Sequence, residues 1–209
     1  QIHESLQNMH DMSHAGRIGN LASLNGVNSD VFSVRAGERI RLRLINAANA
    51  RTFALSFDGH APQVIALDGQ PVNGLAPASG RVALGPGQRA DLIVDMTGKP
   101  GDQFAVTDNY YGRSPYRFLT LVYDNAAPVR ESPLNDPVEL AMNPIAVPDY
   151  SATGVHPVTI SGGAMGGMRQ ASYKGQEMSL RELAGQGKIW ALNGIVADPS
   201  NRQPMFQCE

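Results

Sequence analysis

The stretch Arg39-Ile40-Arg41-Leu42-Arg43-Leu44-Ile45 alternates charged and apolar side chains without a break. Successive side chains of a β-strand point to opposite faces, so the run predicts a strand with Ile40, Leu42 and Leu44 on a core face. The same period of two recurs at Phe53, Leu55 and Phe57, at Ala90, Leu92 and Val94, and at Leu119, Leu121 and Tyr123. Between the runs lie Ala36-Gly37-Glu38, Asp58-Gly59-His60, Asp68-Gly69-Gln70 and Gly85-Pro86-Gly87. Glycine reaches positive φ and proline presets φ, so these are turns. Many short strands with regular turns predict an all-β sandwich or barrel. Its expected core contains Ile40, Leu42, Leu44, Phe53, Leu55, Phe57, Leu92 and Val94.

Composition narrows the class. The chain has 209 residues, 42% hydrophobic and 17% charged, which is neither disordered nor membrane-spanning. A net charge of -2 argues against nucleic acid as a partner. The single cysteine, Cys208, excludes an internal disulfide and a multi-cysteine zinc site. Residues 1–15 read as a linker and 16–125 as the complete β domain. Residues 126–187 read as a proline- and glycine-rich connector, extended where Pro128, Pro133, Pro137, Pro144 and Pro148 fall. Within it, Ser179 and Glu182 fit a capping box, with Gly185 placed to end a short helix. Leu24-Asn25-Gly26 recurs as Leu192-Asn193-Gly194, so 188–209 reads as the first strand region of a following domain. The first residue is Gln1, and the second copy stops early. The sequence therefore reads as a fragment of a longer protein. An orphan strand region at 188–209 would lie on the complete domain, be partly disordered, or pair with a second copy.

No residue is assigned a catalytic role. Ser161–Gly167 lacks the Lys-Ser/Thr ending of a phosphate-binding loop. Asn46 follows a strand and is placed to hydrogen-bond the turned backbone. Arg89 and Asp91, two apart on one strand, are expected to pair. The Arg39, Arg41 and Arg43 face is expected to pair across strands with acidic residues.

Four motifs in order carry a resemblance: Arg43 to Phe53 (RLINAANARTF), Asp58-Gly59-His60, Val64 to Gly69 (VIALDG) and Leu84 to Asp91 (LGPGQRAD). Together they resemble the middle cupredoxin domain of three-domain multicopper oxidases of the laccase and copper-resistance type. Trp190-Ala191-Leu192-Asn193-Gly194 resembles the opening of the third domain. The resemblance implies a cupredoxin-like Greek-key β-sandwich. It implies a parent enzyme that oxidises its substrate by one-electron steps, reduces dioxygen to water, carries copper, and is periplasmic or secreted. Flanking cupredoxin domains of the same chain are the implied partners. The alternatives are a copper-free structural or partner-binding relative and a periplasmic copper-binding module.

Copper sites of this family take a cysteine thiolate with two histidines, and a trinuclear cluster takes His-x-His pairs. The histidines here are His3, His10, His14, His60 and His156, none spaced His-x-His. In the family the ligands lie on the first and third domains, so the resemblance implies that this fragment is a spacer, inactive alone and without a copper cofactor. His60 sits where copper-bearing sister domains place ligands, and a backbone hydrogen bond at a turn is its favoured role. Met9, His10, Met12 and His14 mix thioethers with imidazoles and form a candidate Cu(I) stretch, with Met165 and Met168 as further donors.

Overall fold

The computed structural model describes His14, Gly16, Ile18 and residues 21–27, 31–112, 115–132, 134, 138–146, 148–152 and 154–201. The chain divides into one unit over Ile18–Ile145 and another formed by residues 146–209 with 1–17.

Among the described residues, the first unit holds nine strands: β1 (Val31–Val34), β2 (Arg39–Ile45), β3 (Phe53–Phe57), β4 (Gln63–Leu67), β5 (Gln70–Leu75), β6 (Val82–Leu84), β7 (Arg89–Asp95), β8 (Gln103–Asp108) and β9 (Tyr116–Tyr123). They form a five-stranded sheet in the order β1-β9-β8-β3-β6 and a four-stranded sheet in the order β2-β7-β4-β5. β1 runs parallel to β9. One buried cluster draws on both sheets: Leu55, Phe57, Val106, Leu121 and Tyr123 from the first, Val64, Leu92 and Val94 from the second. Ile40, Leu42, Leu44 and Phe53 pack against it half-buried. The alternation thus sets the register as expected, and the architecture is an all-β, cupredoxin-like sandwich.

Register explains the arginine face. β2 and β7 pair antiparallel with Ile40 opposite Val94, Leu42 opposite Leu92 and Leu44 opposite Ala90. The alternate positions then set Arg39 opposite Asp95 and Arg43 opposite Asp91. Arg39 grips Asp95 with two bonds, of 2.6 and 2.7 Å. Asp91 takes Arg41, with Arg43 at 3.6 Å. The expected Arg89–Asp91 pair is corrected by this arrangement. Both side chains leave the same face, but Asp91 is claimed across the strands, and Arg89 turns to Asp68, donating to its carbonyl at 2.8 Å. Asp68 and Gly69, at φ +48° and +84°, make the tight β4–β5 connection that Asp-Gly suits.

Asn46 is buried and fully used. Its side-chain amide donates to Arg51 O and Leu84 O, and its Oδ1 accepts from the Ala48 amide, the turn-forming role expected of it. The start of the connector is stitched to the sandwich: Val129 N–H donates to Ala36 O at 2.8 Å, and Arg35 donates to Ala127 O at 2.7 Å.

In the second unit, β10 (Ile160–Gly162) pairs with β13 (Trp190–Leu192), and β11 (Gln170–Tyr173) pairs with β12 (Gln176–Ser179). Helix α1 (Leu180–Gly185) follows, with the Ser179–Glu182 capping box formed in both directions. Gly185 is the last residue of the helix, as expected, and the positive φ of +68° falls at Gly187. Met168, Ala171, Leu183, Ala191 and Val196 make a small core. Residues 160–187 therefore carry strands and a helix around a core shared with Ala191 and Val196, where glycine and proline content alone suggests a connector.

Leu92 is wholly buried and Leu75 is 52% exposed. Leu92→Ala is expected to cost about 2–5 kcal/mol by urea unfolding, and Leu75→Ala within about 0.5 kcal/mol of zero. Hydrogen bonds from Arg39 hold the Asp95 carboxyl below its ordinary value, against its partial burial. A carboxylate with a depressed folded value contributes stability above the unfolded value and loses it as pH falls through the folded one. Asp95→Asn should therefore destabilise the protein near neutral pH and flatten the loss of stability below about pH 4, as read from unfolding midpoints against pH.

Candidate functional site

Two turns and the end of β9 meet at one end of the sandwich. The Asp58-Gly59 turn closes β3 and delivers His60, which is half-buried. His60 Nδ1 lies 2.6 Å from the Asp58 carbonyl oxygen. A carbonyl only accepts, so Nδ1 carries the proton and Nε2 has a lone pair in the neutral ring. Nε2 lies 2.6 Å from the Tyr123 hydroxyl, which therefore donates to it. The same hydroxyl accepts the Gly98 N–H at 3.1 Å. The His60 and Tyr123 rings stack at 26°, and Phe104 meets His60 edge-on, with centroids 4.9 Å apart. Burial pushes the Tyr123 hydroxyl above its ordinary value, the Gly98 bond opposing it.

The packing leaves no space for side chains on the two adjoining glycines. A Cβ on Gly98 would stand 2.7 Å from Phe104 and 2.8 Å from Tyr123, and one on Gly59 2.6 Å from Phe104. Gly98 also lines a cavity of about 370 Å³ between the 36–38 turn, residues 95–100 and connector residues Pro128, Arg130, Glu131, Ser132 and Leu134, with Lys99 and Arg130 in its wall.

A second polar node lies at Asp108, 2% exposed. Its Oδ1 accepts from the Ala54 and Tyr110 amides at 2.9 and 3.2 Å, and Arg51 stands 3.4 Å from Oδ2. The Arg51 guanidinium lies 5.2 to 5.6 Å from the rings of Phe53, Tyr111 and Tyr116, close enough for cation–π attraction. Asp108 balances a cation held largely out of water.

Of the candidate soft donors, only His14, Met165 and Met168 fall within the described residues. Met9, His10 and Met12, like His3 and Cys208, lie outside the described residues, and His14 is exposed. Met165 is 94% exposed, whereas Met168 is buried in the core of the second unit. His156 is exposed. Among the described residues, no three His, Cys, Asp or Glu side chains are grouped to hold a metal ion. The sequence signal missed Tyr123, Gly98 and the Arg51–Asp108 node. Tyr123 stands in an apolar alternation that gives its face but not the partner of its hydroxyl.

A family model described as multicopper oxidase matches residues 4–126, more than half of the chain. The chain belongs to the multicopper oxidase family. A crystal structure of a multi-copper oxidase from Pseudomonas thermotolerans superposes with a TM-score of 0.61 at 30% identity, over 72% of this chain and 34% of that one. The laccase-like multi-copper oxidase CueO of Ochrobactrum sp. gives a TM-score of 0.56 at 26% identity, over 70% and 32%. Among curated proteins, the chain is 40% identical over 96 residues to the cell division protein FtsP of Rahnella sp., and 38% identical to that of Escherichia coli. Each alignment takes in 44% of this chain and 19% of the relative. The chain thus spans about a fifth of the curated relatives it matches and about a third of the solved oxidases.

Multicopper oxidases bind copper through thiolate and imidazole. The described residues do not fit such a centre. The one imidazole of the sandwich has both nitrogens engaged by the fold, and no grouped ligands stand beside it.

Gly98→Ala should overpack the Phe104–Tyr123 contact and cost about 1–3 kcal/mol in urea unfolding. Gly112→Ala meets no atom within 4 Å and should be close to neutral in the same measurement.

Proposed function

We propose that this chain is the middle cupredoxin domain of a three-domain multicopper oxidase, with the opening strands of the following cupredoxin domain. Residues 16–125 form the domain, 126–187 lead onward, and 188–209 begin its successor. Its role is that of a spacer without copper ligands, fixing the flanking domains that bear the metal. The parent takes single electrons from a substrate and passes them to dioxygen, making water, in the periplasm or outside the cell. The engagement of both His60 nitrogens by Asp58 O and Tyr123 supports the spacer role most directly. The match to oxidases over about a third of their length supports the place in the chain. No helix among the described residues is long and apolar enough to cross a membrane.

A second reading is favoured by the cell division relatives, which reach 40% identity. In it the parent is a copper-free structural protein that keeps the cupredoxin domains and binds partners.

Copper analysis, the visible spectrum and oxygen uptake separate the readings. The 209-residue chain, reconstituted with copper, is expected to hold no stoichiometric copper, stay colourless and consume no oxygen. The full-length parent is expected to bind copper with intense visible absorbance and to consume oxygen with a reducing substrate. A colourless, copper-free parent would leave the structural reading. One tightly bound copper in the short chain would overturn the spacer role.

A further inference from the structure

We infer that Tyr123 and His60 form a site of proton-coupled oxidation, at which the phenol yields one electron to an external one-electron oxidant while its proton passes to His60 Nε2. The tyrosine O–H bond breaks and an N–H bond forms at Nε2. The oxidant gains one electron, and the pair becomes a neutral phenoxyl radical beside an imidazolium. Re-reduction returns the proton along the same bond. The inference does not depend on the copper content of any parent protein.

The geometry supplies each requirement. Nδ1 is bonded to the Asp58 carbonyl at 2.6 Å, so the lone pair of the neutral ring faces the phenol. The Nε2 to hydroxyl distance is 2.6 Å, so the proton moves along an existing hydrogen bond with no rearrangement of heavy atoms. Tyr123 is 2% exposed, so water does not take its proton. Losing the electron alone would leave a buried cation, and losing the proton alone a buried phenolate, both costly in a poorly solvated site. Moving both together avoids either charge on the ring. The imidazolium keeps its Nδ1–H bond to Asp58 O, and His60 is half-buried rather than enclosed. The Asp102 carboxylate acts on the Tyr123 hydroxyl through space and favours the positive charge that the pair acquires. The Gly98 N–H remains on the phenoxyl oxygen.

Other tyrosines are placed against oxidation. Tyr111 and Tyr116 lie under the Arg51 guanidinium, and Tyr173 lies near the ammonium groups of Lys174 and Lys188. A cation at a ring opposes removal of an electron from it. Tyr110 and Tyr150 are exposed, at 49% and 73%, and Trp190 is 42% exposed. These three are the competitors that the experiment must distinguish.

The test uses the 209-residue chain with photogenerated tris(bipyridine)ruthenium(III) as the oxidant. Electron paramagnetic resonance should show a neutral tyrosyl radical that disappears in Tyr123→Phe. In deuterated water, its formation should slow, and pulsed measurement should show two exchangeable deuterons at the radical oxygen, one from the Gly98 amide and one held by His60 Nε2. His60→Gln keeps a hydrogen-bond acceptor for the phenol but offers no base, and the oxidation rate should fall at least about tenfold. A wild-type radical on Tyr110, Tyr150 or Trp190, or unchanged oxidation of Tyr123 in His60→Gln, overturns the inference. Should His60→Gln fail to fold, the wild-type measurement decides by itself: a Tyr123 radical with no deuteron beyond that of the Gly98 amide and no isotope effect overturns it equally.

Discussion

In-register pairing of β2 with β7 is the constraint on which the sandwich depends. It sets Leu42 against Leu92 and Ile40 against Val94 on the core face, and Arg39 against Asp95 on the other. A slip of one residue would turn three arginines inward and bring Leu42 and Leu44 into water. It would also part the Arg39–Asp95 pair, whose two bonds hold in one register only. Ion pairs at a half-exposed surface add little stability each. Their value here lies in rejecting the wrong register, while the buried apolar face supplies most of the free energy.

With the register fixed, the turns follow. Asn46 ends β2 and ties it to Leu84 O at the end of β6 in the opposite sheet, so one buried side chain joins the two layers. Tyr123 does the same at the end of β9. The alternation that buries its ring carries its hydroxyl to the Asp58-Gly59-His60 turn and to Gly98. Residues 58–60, 98 and 123 are far apart in sequence and meet there because each ends or follows a strand. A site made of strand ends inherits its precision from the sheets.

Much of this was legible in the sequence, and for a physical reason. A period of two states which face a residue occupies, so the core positions follow from pattern alone. Local chemistry is equally legible: Asn46, Asp68-Gly69 and the Ser179–Glu182 box act within a few residues of themselves. The Leu-Asn-Gly repeat belongs here too. Asn25 and Gly26 have φ of 50° and 78°, Asn193 and Gly194 have 49° and 76°, so both copies build the same turn. Choices among distant partners were not legible. Asp91 had Arg89 beside it on the same strand, and cross-strand neighbours claimed it instead. His60 showed its turn bond in the sequence, but nothing near it named Tyr123, 63 residues on. Residues 160–187 escaped because strands of three or four residues are too short to show a period.

The satisfied state of His60 also bears on how one domain suits relatives with different names. Ligating a metal through Nε2 would take the acceptor of the Tyr123 hydroxyl and leave a buried donor unmet, at about 1–3 kcal/mol. Further ligands would have to be found where the described residues group none. The imidazole serves the fold as a hydrogen-bond acceptor for the Tyr123 hydroxyl. A sandwich stabilised in this way asks nothing of the chemistry in its neighbours. The same domain is compatible with relatives described as oxidases and with relatives described as cell division proteins. Fold and function separate at this level.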